Sequence, residues 1–118
     1  MHRLLLVDDE PMLREELQES LEFEGYEVMT AATVEAALNL CGEADFDLVV
    51  TDLKMPHLGG LDLIRRLNDG GTAQKIIVLS GHGAESNRAE AMDLGAIACF
   101  AKPVDPDFLA EKIGEFLG

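Results

Sequence analysis

The chain is short of basic residues: 9 Lys and Arg stand against 23 Asp and Glu in 118 residues, a formal net charge of −14. Nucleic acids and anionic membranes are held by neutralising their phosphates with Lys and Arg, so this imbalance sets both aside as direct ligands. Cysteine is scarce as well. Cys41 and Cys99 lie far apart, neither with a second cysteine at metal-ligand spacing, which gives little support to a zinc site or a disulfide framework and fits a reducing compartment. Long apolar runs are also missing, since no stretch approaches the ~20 residues needed to cross a bilayer. The N-terminus passes from His2 and Arg3 into a short apolar run and then into acids, unlike a signal peptide. These absences predict a soluble, unexported, cytoplasmic protein.

What is present is a good core former. At 47% hydrophobic and 118 residues, the chain suits one domain spanning 1–118, with no linker, repeat or low-complexity tract. Five short apolar segments recur, at Leu4 to Val7, Tyr26 to Thr30, Asp47 to Thr51, Lys75 to Ser80 and Ile97 to Ala101. Three are almost continuous in aliphatic and β-branched residues, as in strands covered on both faces.

Helical spacing fills the intervals. Pro11 opens a stripe of Leu13, Leu17 and Leu21 that stops at Gly25, and Thr33 is an N-cap for Ala37, Leu40 and Cys41. Gly59 and Gly60 precede Leu61, Ile64 and Leu67; a fourth helix runs from about Ala84 to Leu94 and ends at Gly95. Asp105 and Pro106 start a last helix that turns Leu109, Ile113, Phe116 and Leu117 inward. Strict β-α alternation predicts an α/β fold, a parallel sheet with helices on both faces.

In such a sheet the carboxyl ends of the strands share one edge, where ligands bind near the reversal of strand order. Asp8 and Asp9 end the first strand, Asp52 the third and Ser80 the fourth, and Lys102-Pro103 follows the fifth. Each has a bland explanation: acids at a helix N-terminus, a turn aspartate, a loop hydroxyl, a snorkelling lysine. Convergence weakens those explanations, because three carboxylates on one edge must be compensated and one lysine is too little. A hard divalent cation with oxygen ligands is the natural counter-charge, Mg²⁺ before Ca²⁺. Metal, lysine and hydroxyl together are apparatus for a phosphoryl group, and Asp52 is the candidate nucleophile for an acyl phosphate. Glu10 is assigned to helix-end charge rather than to the site.

The segments "LLLVDDEP", "DLVVTDLKMPHLGGLDLIRRL", "IIVLSGHG", "AMDLGA" and "FAKPV" closely resemble, in order and spacing, the receiver domain of two-component response regulators, of the chemotaxis-regulator-like superfamily. The resemblance covers essentially the whole chain. It implies a flavodoxin-like (βα)5 three-layer sandwich with strand order 2-1-3-4-5. It implies that Asp52 takes a phosphoryl group from the phosphohistidine of a sensor histidine kinase or a histidine phosphotransfer protein, with Mg²⁺ or Mn²⁺ held by Asp8, Asp9, Asp52 and the Lys54 carbonyl. Ser80 would sense the phosphoryl group, Lys102 would pair with it, and a cis bond would precede Pro103. Output would pass through the face of helix four, strand five and helix five to an output domain or partner, and a homodimer is compatible with that scheme.

One position departs from the family pattern. Where an aromatic residue commonly stands three places before the lysine, this chain has Cys99, while alternation points the neighbouring Phe100 to the other face. The usual aromatic switch is thereby in question, and Cys99 is first of all a small buried hydrophobe. Lys54 and His82, each two residues beyond a site residue, are candidates for tuning acyl phosphate lifetime, and His2 and His57 are read as surface residues. Three alternatives compete. A phosphohydrolase with an aspartate nucleophile usually carries a second Asp where Lys54 stands. A flavin protein would want hydroxyls and amides in the acidic first loop. A degenerate receiver acting only by protein contact is disfavoured by the intact Asp8, Asp9, Asp52, Ser80 and Lys102 set, although Cys99 keeps it in view.

Overall fold

The computed structural model describes residues 2–55, 59–69, 74–81 and 85–118. Strands and helices alternate: β1 (Arg3–Val7), α1 (Pro11–Phe23), β2 (Glu27–Ala31), α2 (Val34–Glu43), β3 (Leu48–Asp52), α3 (Gly60–Asp69), β4 (Ile76–Ser80), α4 (Glu85–Asp93), β5 (Ala98–Ala101) and α5 (Pro106–Leu117). The strands pair in parallel, as the β-α alternation predicts, in the order β2-β1-β3-β4-β5 that the family resemblance implies. Chain order reverses between β1 and β3, so the edge beyond these two strands is where such a sheet opens a crevice.

Period-2 alternation divides the core. Leu4, Leu6, Leu48, Val50, Ile77 and Leu79 pack with Leu17 and Leu21 of α1 and Leu109 and Ile113 of α5. Leu5, Val7, Val49, Ile76 and Val78 point the other way and pack with Ala37 of α2, Leu63 and Ile64 of α3, and Ala91 of α4. Every residue of β3 and β4 is buried, which explains their lack of polar alternation. Each fully buried Leu or Ile contributes on the order of 2 kcal/mol.

The helix boundaries follow from local chemistry. Thr33 Oγ1 accepts from Ala36 N at 3.1 Å and Asp105 Oδ1 from Asp107 N at 2.9 Å, so both expected N-caps form. Gly25 (φ +98°) and Gly95 (φ +114°) end α1 and α4 in the left-handed region that L side chains avoid. The expected start of α4 at Ala84 lies outside the described residues. On α3 the structure buries Leu63, with Leu61 only half-buried, where the sequence stripe selects Leu61.

The start of α3 has a tighter requirement. Gly60 N donates to Leu53 O at 3.0 Å, and a Cβ at Gly60 would stand 2.5 Å from the carbonyl oxygen of Asp52. Only glycine lets α3 close onto the end of β3 this tightly, and that closure fixes the backbone of Asp52. No described helix is long and apolar enough to cross a membrane.

Candidate functional site

Four elements deliver polar groups to one point. Asp8, directly after β1, is fully buried; Asp52 ends β3 and is 5% exposed; Ser80 ends β4 and is fully buried. Lys102 follows β5, and its peptide bond to Pro103 is cis. Its own N–H donates to Ser80 O at 2.8 Å, which ties the loop after β5 to the end of β4 and aims the side chain across the sheet edge. Lys102 Nζ reaches Asp52 Oδ2 at 2.7 Å, Asp8 Oδ2 at 3.2 Å and Glu10 Oε1 at 3.3 Å.

The acids are held from behind by backbone and side-chain donors. Asp52 Oδ1 accepts from Lys54 N at 3.2 Å, and Asp8 Oδ1 accepts from Glu10 N at 2.9 Å. Arg14 Nη1 donates to the Asp8 carbonyl oxygen at 2.7 Å. Burial pushes the Asp52 carboxyl above the usual aspartate range; Lys102 pulls it down, and the nearby Asp8 charge adds to the rise. Burial works against the Lys102 charge too, yet Asp52 and Asp8 outweigh it and hold the ammonium above the ordinary lysine range.

A cation fits this group. Carboxylate oxygens of Asp8, Glu10 and Asp52 all lie within 4.8 Å of one another. Asp8 Oδ2 is buried, and the only group set against it among the described residues is Lys102 Nζ at 3.2 Å, in an ion pair that does not make a well-formed hydrogen bond, so a carboxylate lone pair aimed into the cluster is left for a further ligand. Lys102 carries one positive charge among three acids, and oxygen donors of this kind suit a hard divalent ion.

The sequence-selected residues fall as follows. Asp8, Asp52 and Lys102 come together, and Ser80 stands at the adjoining strand end, its carbonyl bonded to the Lys102 N–H and its hydroxyl toward Cys99. Asp9 is half-buried and its carboxylate lies outside the group of three acids, whereas Glu10, assigned from sequence to helix-end charge, stands inside it. The reason is local: Glu10 occupies the N-cap of α1 in an extended conformation, its side chain makes no cap hydrogen bond, and it reaches over the site instead. The Lys54 side chain is exposed, and its backbone N–H is what touches Asp52. Cys99 and Phe100 lie on opposite faces as alternation predicts: Cys99 Sγ is 3.9 Å from Ser80 Oγ, and Phe100 makes an edge-to-face contact with Phe108 at 5.3 Å. His82 and His57 lie outside the described residues, and His2 is exposed with its ring 6.4 Å from that of Tyr26. Arg14 went unnoticed in the sequence because its contact is to a backbone carbonyl, for which a side-chain motif carries no signal.

A family model described as "Response regulator receiver domain" matches residues 4–114. The chain belongs to that family. The receiver domain is 30% identical over 115 residues to sporulation initiation phosphotransferase F of Bacillus subtilis, covering 98% of this chain and 93% of that protein. It is 40% identical over 101 residues to the response regulator MprA of Mycolicibacterium vanbaalenii, covering 86% of this chain but 44% of MprA. The chain thus spans less than half the length of some curated relatives, and 26% of the transcriptional regulatory protein GlrR of Escherichia coli. Among solved structures, a CheY-like receiver domain protein of Methanospirillum hungatei superposes with TM-score 0.93 at 35% identity, over 99% of this chain and 94% of that one. A receiver domain protein of Clostridium thermocellum gives TM-score 0.93 at 33% identity, over 99% and 94%. The receiver domain family works in two-component signalling rather than metabolic catalysis, and its strand order is the one found here.

Proposed function

We propose that this receiver domain, taken as one response-regulatory unit over residues 1–118, accepts a phosphoryl group on Asp52 from the phosphohistidine of a sensor histidine kinase or a histidine phosphotransfer protein. The observation that carries this reading is the 2.7 Å contact of Lys102 Nζ with a nearly buried carboxylate at a strand end. An Asp52 oxygen attacks phosphorus, the P–N bond breaks, and the imidazole leaves with its electron pair and takes up a proton. Lys102 meets the charge on the phosphoryl oxygens, and the Ser80 hydroxyl turns from Cys99 to donate to one of them. Later a water attacks phosphorus, the P–O bond to Asp52 breaks, and the carboxylate and inorganic phosphate are regenerated.

A divalent cation, Mg²⁺ or Mn²⁺, supplies further positive charge for the phosphoryl oxygens when bound. Asp8 and Asp52 are its proposed holders, with Asp9 and the Lys54 carbonyl completing the set that the family resemblance implies. Lys54 and His82 tune access of the hydrolytic water. Phosphorylation adds about 1.5 to 2 negative charges, and the consequent shift of Ser80 biases the face of α4, β5 and α5 toward an output domain or partner, including a second copy of the chain. The setting is cytoplasmic.

Incubation with Mg²⁺ and acetyl phosphate, followed by intact mass measurement, tests the reading. Wild type gains one base-labile phosphoryl group and Asp52→Asn gains none. Failure of wild type to gain it at saturating donor would leave the degenerate, contact-only receiver as the better account.

A further inference from the structure

Glu10 has the least expected position in the molecule. It stands at the N-cap of α1, a position that shorter Asp, Asn, Ser and Thr side chains cap best, and it makes no cap hydrogen bond. Instead Glu10 Oε1 lies 3.3 Å from Lys102 Nζ and within 4.8 Å of the nearest carboxylate oxygens of Asp8 and Asp52. Its side chain is 62% exposed, against 0% for Asp8 and 7% for Asp52. The three acids around Lys102 are therefore unequal. Two are fixed and buried, and one is half in water and able to move at small desolvation cost.

From this inequality we infer that Glu10 is a positioning residue shared between Lys102 and the cation. Without the cation it helps hold Lys102 over the site. With the cation bound to the buried pair, Glu10 gives up Lys102 and turns to a water that the ion retains, a mode suited to Mg²⁺, which dehydrates reluctantly. Cation binding then frees Lys102 for phosphoryl oxygens. The buried Asp8 Oδ2, met by Lys102 Nζ at 3.2 Å without a well-formed hydrogen bond, keeps a lone pair for a ligand among these acids. This inference rests on the cation site of the proposed function and adds to it a residue, outside the Asp8-Asp9 pair, with a defined exchange of partners.

The test is calorimetric titration of Mg²⁺ into wild type, Glu10→Gln and Glu19→Gln, all without phosphodonor. Glu19→Gln removes the same charge at an exposed position farther along α1 and controls for net charge. Outer-shell partners of a bound metal typically contribute 10- to 100-fold in affinity, and an exposed one belongs at the low end, so Glu10→Gln is expected to weaken binding about tenfold. Glu19→Gln should bind as wild type does. Melting in EDTA shows whether Glu10→Gln remains folded, and the same titration of Glu10→Asp, which keeps the charge on a shorter stem, should recover part of the affinity. Equal Mg²⁺ affinities for wild type and Glu10→Gln would overturn the role of Glu10 while leaving the cation site intact. Absence of Mg²⁺ binding by wild type would overturn both, and equal losses for Glu10→Gln and Glu19→Gln would reduce the effect to net charge.

Discussion

Lys102 Nζ stands 2.7 Å from Asp52 Oδ2 and is shared with Asp8 and Glu10, so a single ammonium is the local counter-charge for three acids. Removing it leaves two buried carboxylates facing each other with no ion-pair partner among the described residues. Truncating one side of a buried ion pair typically costs 3–5 kcal/mol, and the partial exposure of Lys102 reduces this, so Lys102→Ala is expected to lose about 2 to 3 kcal/mol in EDTA. A divalent cation replaces the missing charge. Urea denaturation with and without Mg²⁺ should therefore show a larger Mg²⁺-dependent gain for Lys102→Ala than for wild type; equal gains would mean that lysine and cation do not serve the same acids.

The raised Asp52 carboxyl has a consequence with a definite sign. Burial, the larger cause, and Asp8 both favour its protonated form, so in the folded state it binds its proton more tightly than in the unfolded chain. Such a group does not weaken the fold at acid pH, where both states are protonated, and weakens it progressively as pH rises through the ordinary aspartate range to the raised value. Asp52→Asn removes the penalty. Its melting temperature in EDTA should match wild type near the acid limit and exceed it at neutral pH, with the gap opening as pH rises. A gap that closes as pH rises would show that the Lys102 contact, and not burial, dominates.

The backbone of Asp52 is itself held by a steric fit. A Cβ at Gly60 would meet Asp52 O at 2.5 Å, and one at Gly59 would meet Leu53 O at the same distance, both backbone atoms that no rotamer change can move. Gly60→Ala must displace the start of α3, and overpacking of this kind costs about 1 to 3 kcal/mol. Gly42, exposed on α2 with open space around its Cβ position, is the control, and Gly42→Ala should be neutral or slightly stabilising. Comparable stabilities for the two variants in urea would disprove the fit.

Most of the architecture was legible because it rests on short-range signals. Unbroken aliphatic runs gave the buried strands, Thr33 and Asp105 the helix starts, and period-2 alternation separated Cys99 from Phe100. The conjunction of Asp8, Asp52, Ser80 and Lys102 could be read because a parallel sheet brings every strand end to one edge. Three particulars resisted. Glu10 faces the site because it forgoes capping, a rotamer choice between helix end and Lys102 that spacing does not encode. Gly59 and Gly60 read as a helix boundary, and their real constraint is a contact with the carbonyls of Leu53 and Asp52, which appears only when α3 is folded onto β3. The sequence set Lys102 beside a cation as counter-charge for Asp8, Asp9 and Asp52, yet the three acids that Lys102 reaches are Asp8, Glu10 and Asp52, a set that depends on where its long stem ends.

Cys99 offers a reporter of the site. Its Sγ lies 3.9 Å from Ser80 Oγ, while the aromatic side chain next door, Phe100, is committed to Phe108 on the other face. Under the proposed function Ser80 turns to the Asp52 phosphoryl group, and the Ser80-Cys99 contact must part. Burial holds the Cys99 thiol above its ordinary value, with Ser80 and Arg88 acting in the opposite direction, so alkylation at neutral pH is slow and sensitive to local opening. In a Cys41→Ser background Cys99 is the sole thiol. Its alkylation rate should change severalfold when acetyl phosphate and Mg²⁺ are present and stay constant in Cys41→Ser/Asp52→Asn. A constant rate in protein whose mass shows the phosphoryl group would mean that Ser80 moves without Cys99, and that the signal leaves the site by another route.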